Sequence, residues 1–118
     1  MVAKLALDTK VADVLAADAI VIGTTENFGA VAGLVKDFFE RVYYPCLEHT
    51  QGKPYALYVR AGQDGSGAVR DIERIAAGLR WRAVQPALIL VGDYQPRFVD
   101  QCEQLGMAMS AGLAAGIY

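Results

Sequence analysis

Apolar residues in this chain follow two patterns that alternate along its length. Ala19–Gly23, Tyr55–Val59 and Ala87–Val91 are short, nearly unbroken apolar runs. Runs of this length, without polar alternation, predict strands covered on both faces. After each run the period changes. From about Ala30 to Tyr43, Val31, Leu34, Val35, Phe38, Phe39 and Val42 recur at three- and four-residue spacing, leaving Lys36, Asp37, Glu40 and Arg41 outside. This predicts a helix, and Pro45 is expected to stop it. Val69, Ile72, Ile75, Ala76 and Leu79 mark a second helix over about Ala68–Leu79. Phe98, Cys102, Leu105, Met109 and Leu113 mark a last one over about Pro96–Ala115. Ahead of the first run, Met1–Leu7 could add a strand, and Lys10–Ala16 reads as a short helix capped by Asp8 or Thr9.

Strands alternating with helices of ten or more residues predict an α/β fold, a parallel sheet wrapped by helices. Right-handed crossovers place the first two helices on one face, and the last helix is expected to return and cover the other. The 118 residues suffice for one domain, 1–118, and 54% hydrophobic against 20% charged residues favours a compact core. The net charge is −2 and no Lys/Arg stripe forms, which argues against a nucleic-acid partner. Arg80 and Arg82, flanking Trp81, read as a solvated helix end. No run reaches the ~18–20 apolar residues a bilayer span needs, and no basic-then-apolar leader opens the chain. The expectation is therefore a cytoplasmic protein with no membrane partner. Cys46 and Cys102 lack C-x-x-C spacing and read as buried, inert thiols. His49 is the only histidine and lies in a polar connection, so no metal site is expected.

Two loops remain unexplained by packing. Ligands of open parallel sheets bind beyond the carboxyl ends of the strands, and both loops lie at that edge. The first offers the hydroxyls of Thr24 and Thr25, then Glu26, the Asn27 amide, the Phe28 ring and the backbone at Gly29. The second, Ala61-Gly62-Gln63-Asp64-Gly65-Ser66-Gly67, holds three glycines in six residues and so permits close backbone approach to something flat. Gly65-Ser66 as an ordinary turn and helix cap would explain that loop equally well. Neither loop carries a P-loop lysine.

Thr24-Thr25-Glu26-Asn27-Phe28-Gly29, followed by Gly33 and Lys36-Asp37-Phe38-Phe39-Glu40-Arg41, resembles the loop and helix of flavodoxin-like proteins. The similarity is to the NAD(P)H-dependent FMN reductase and quinone oxidoreductase branch, and it runs from about Leu15 to the C-terminus. The second loop resembles that family's other flavin-side loop. A proline common in the family is replaced around Thr25-Glu26, and a carboxylate there would disfavour an anionic reduced flavin. The resemblance implies a three-layer flavodoxin-like sandwich and FMN as cofactor. Its ring would be held by Thr24, Thr25, Glu26, Asn27, Phe28 and Gly29 from one loop, and by Ala61, Gly62, Asp64, Gly65 and Gly67 from the other. No side chain is assigned a catalytic role. The family's opening strand and its phosphate-gripping loop have no counterpart before Leu15, so the fold is expected to be N-terminally truncated.

Two functions follow. One is a flavoprotein passing hydride or electrons between NAD(P)H, or a protein donor, and an acceptor such as a flavin or a quinone. The other is a non-catalytic flavodoxin-like remnant acting in assembly. A hydrolase lacks a nucleophile and base at useful spacing. Because a strand is expected to be missing beside Ala19–Gly23, a homodimer or higher oligomer is also expected.

Overall fold

The computed structural model describes residues 1–118. A 3-10 turn, Ala6–Asp8, and helix α1, Val11–Ala16, lead into strand β1, Ile20–Asn27. Strand β2, Ala30–Val31, and helix α2, Gly33–Cys46, follow. Strand β3, Pro54–Ala61, is succeeded by helix α3, Ser66–Gly78, then strands β4, Arg82–Ala83, and β5, Leu88–Val91, and helix α4, Arg97–Ala114. β3 is central. β1 runs parallel to it on one side, and β4 and β5 run parallel to its two ends on the other. β2 turns back antiparallel on β1.

Register decides which side chains face which layer. Ile20 pairs with Tyr55, Ile22 with Leu57 and Thr24 with Val59, so this set shares one face. There it meets Val35, Phe38, Phe39 and Val42 of α2 and Ala68, Ile72 and Ala76 of α3 in a core of sixteen buried residues. The alternate set, Ala56, Tyr58 and Leu88, faces Leu105 and Met109 of α4. The first two long helices thus share one face, as right-handed crossovers in one direction require, and the last covers the other.

Five local expectations differ from what is found. Pro45 lies inside the last turn of α2 rather than ending it. So close to the terminus, a missing amide costs one hydrogen bond and the helix closes a residue later. Met1–Leu7 forms no strand. Instead Arg41 donates from Nη2 to Ala6 O and from Nη1 to Thr9 O, both at 2.7 Å, fastening this segment to α2 as a turn. Helix α1 is capped by neither Asp8 nor Thr9; Asp13 Oδ2 accepts the Lys10 amide at 2.8 Å. Trp81 is buried, not solvated, and its Nε1 donates to Thr50 Oγ1 at 2.9 Å. Arg80 takes the left-handed conformation, φ 61°, that ends α3, and the Trp81 amide reaches back to Ala76 O. Leu34, placed on the apolar stripe by spacing, is exposed.

Candidate functional site

The polar stretch after Ile22 is not a loop for most of its length. β1 continues through Thr24, Thr25, Glu26 and Asn27, and only Phe28 and Gly29 make the turn into β2. Both turn residues have positive φ, 54° at Phe28 and 71° at Gly29, the geometry of a type I′ hairpin. Gly29 suits such a turn; Phe28 does not. A bulky residue in the left-handed region is strained by about 1 kcal/mol or more. Its ring is also fully solvent-exposed, at 106%. The turn accounts for the positive φ, but no packing within the chain accounts for the ring.

Across from the hairpin, β3 ends at Ala61 and the chain runs through Gly62–Gly65 into α3. Asp64 Oδ1 accepts from the Ser66 amide at 3.0 Å and from Ser66 Oγ at 2.9 Å, turning the chain into the helix. The Ser66 amide, and then its hydroxyl, hold the Asp64 carboxyl below its ordinary range. Gly65 starts α3 with φ 72° and is buried beneath the loop. Gly67 is packed so tightly that a Cβ would lie 1.8 Å from Gly29 O. Gly62 differs. It has no positive φ, and a Cβ there would meet no atom within 4 Å. Packing within the chain therefore gives no reason for glycine at 62, whereas a ligand lying against the backbone would.

The hairpin and the glycine-rich loop enclose a cavity of about 500 Å³ at the carboxyl edge of the sheet. Its volume lies within the range of ~300–1,000 Å³ usual for small-molecule sites. Of the residues singled out from sequence, Glu26, Phe28, Gly29, Gly62, Asp64 and Gly67 line it together. Thr24 is behind it, buried, its hydroxyl donating to Thr25 O and accepting the Ala32 amide. Thr25 and Asn27 are exposed on β1 outside the lining, Ala61 belongs to the core, and Gly65 lies underneath. Gln63, Ser66 and Arg70 also line the cavity. Arg70 had a signal in the sequence, since it stands one helical turn beyond Ser66 and shares its side of α3.

Glu26 has its charge engaged. Its Oε2 accepts the amides of Gly67 at 2.9 Å and Ala68 at 3.2 Å, at the start of α3. The positive end of the helix dipole thus faces this carboxylate and not open solvent.

The profile of the NADPH-dependent FMN reductase family matches residues 6–95. No curated protein matches the chain at a significant level. Among solved structures, a flavodoxin from the domain Archaea is similar, with a TM-score of 0.79 and 18% identity over 92% of this chain and 74% of that one. An NADPH-quinone reductase from P. pentosaceus is similar with a TM-score of 0.57 and 17% identity, over 83% of this chain and 71% of that one.

Proposed function

Because the chain belongs to the NADPH-dependent FMN reductase family and has the flavodoxin fold, we propose that it binds FMN in the cavity between hairpin and glycine-rich loop and serves hydride or electron transfer there. The observation that carries this reading is the pairing of Phe28 with Gly62. One is an aromatic ring held strained in solvent; the other is a bare stretch of backbone with room for a flat group beside it. The two line the same cavity.

The residues present fit the ring end of a flavin. Phe28 offers a face for stacking, the backbone at Gly62 offers close approach, and Gln63 and Ser66 offer hydrogen-bonding groups for a ring edge. The phosphate end is less well provided for. The two amides at the start of α3 are taken by Glu26, which leaves Arg70 as the cation lining the cavity. A bound flavin supplies the redox chemistry, accepting hydride from a nicotinamide and passing electrons on. The chain's own part is to position that ring and limit its exposure to water; no side chain in the cavity has to act as acid or base. Micromolar affinity or weaker is expected, because one arginine is a modest grip on a phosphate.

Titration of the protein into FMN, followed by quenching of flavin fluorescence, tests the proposal. Phe28→Ala and Gly62→Val should each weaken binding about tenfold, the first by removing the stacking face and the second by filling the space beside the backbone. Negligible quenching by the wild type would favour the non-catalytic reading, in which the fold serves assembly. The proposal extends to self-association with a second copy of this chain. From Ile20 to Thr25, β1 has no strand on its outer side and no charged residue, and edges of that kind recruit other strands.

A further inference from the structure

The two walls of the cavity come from different parts of the chain, and a pair of carboxylates ties them together. Glu26, in the hairpin wall, accepts two backbone amides of α3, those of Gly67 and Ala68. Asp71, one turn further along α3, accepts the backbone amide of Val31 in the hairpin at 3.0 Å. Each wall therefore offers a charged side chain to the other wall's main chain. Gly67 completes the junction, because only a residue without Cβ allows Gly29 O to lie against it.

We infer that Glu26 is a positioning residue, fixing the Phe28 turn at one separation from the Gly62–Gly67 loop so that the cavity is shaped before a ligand arrives. This rests on the flavin reading of the cavity, but the clamp is measurable without any ligand. The hairpin itself is short, β2 being two residues long and paired with β1 only; Asp71 and Thr24 hold its far end at Val31 and Ala32, and Glu26 holds the end next to the Phe28 turn. Left to itself such a turn is mobile. Charge-assisted bonds to a helix start are among the stronger ones available near a surface. With Oε2 held by the start of α3, Glu26 is fixed in place beside the cavity, and its charge still disfavours an anionic ring there.

The variants Glu26→Ala, Glu26→Asp and Glu26→Gln separate reach from charge. Aspartate keeps the charge but is one methylene too short, whereas glutamine keeps the reach and an accepting oxygen. Amide hydrogen exchange at Gly67 and Ala68 should quicken at least about tenfold in the alanine and aspartate variants and stay within about threefold in the glutamine variant. The dissociation constant for FMN should follow the same order, with weakening of about tenfold, tenfold and threefold or less. Should Glu26→Ala fail to fold, the aspartate and glutamine pair carries the same test. Unchanged exchange in Glu26→Asp would overturn the clamp. Quickened exchange with undiminished FMN affinity would overturn the positioning role while leaving the flavin site standing. If the wild type binds no FMN, the flavin reading fails, and exchange still decides whether the clamp exists.

Discussion

The two faces of this sheet are built to different standards. On one, α2 and α3 close over sixteen buried residues, among them Phe39, Val42, Ile72 and Leu79 at 1% exposure or less. On the other, α4 alone closes over three, and Leu105 and Met109 keep 8% and 3% exposure. Tyr58 covers part of what α4 does not, its ring lying across Gly23 where any Cβ would collide. Val21, on the same face of β1, remains 38% exposed. Since buried apolar area is the main stabilising term, stability should be concentrated on the first face. The cavity is placed accordingly, since its second wall is the start of α3, an element of the well-packed face.

The cysteines offer the sharpest contrast, one on each face. Cys46 at the end of α2 is 0% exposed, while Cys102 on α4 is half-buried. Burial pushes both thiols up from their ordinary range, with Lys53 opposing the effect at Cys46. In native protein a thiol reagent should modify Cys102 at least roughly a hundredfold faster than Cys46, which waits for an opening of the core. Comparable rates would mean that the first face opens as readily as the second.

Truncations come next in size. Phe39→Ala, at the centre of the first face, should cost ~3–5 kcal/mol, measured by denaturant unfolding. Leu105→Ala, under α4, should cost closer to ~2 kcal/mol, because its surroundings are thin enough to collapse or admit water. An equal loss at the two positions would contradict the comparison. Val21→Thr, on the uncovered part of the second face, should shift stability by no more than ~0.5 kcal/mol.

The sequence was informative where one physical signal dominated. The runs Ala19–Ile22 and Ala87–Val91 marked strands, and Val35, Phe38, Phe39 and Val42 fit only a helix period, so the layers followed from them; full cover of both faces did not follow, since Val21, Ile89 and Val91 stay exposed. It was silent where tertiary bonds overrode local pattern. Nothing apolar marks Thr24–Asn27 as strand; pairing with β3 and β2 makes it one. Trp81 sits between two arginines, yet a hydrogen bond to Thr50 and the reversal of the chain at Arg80 turn it inward. The segment Met1–Leu7 has a strand's composition but is captured by the Arg41 guanidinium. The site divides in the same way. Phe28, Gly29 and Gly62 stand out by residue type, whereas Arg70 enters through helix geometry and the anchoring of Glu26 requires contacts forty-one and forty-two residues apart in the chain.

Whether a flavin lies between the hairpin and the glycine-rich loop is decided by an amide chemical-shift footprint of the protein titrated with FMN. Shifts should concentrate at Glu26–Gly29 and Gly62–Arg70, with the cavity near Leu15–Asp18 and His49–Lys53, at the opposite end of the sheet, unmoved. Shifts centred on that second cavity, or none at saturating FMN, would contradict that placement of the flavin.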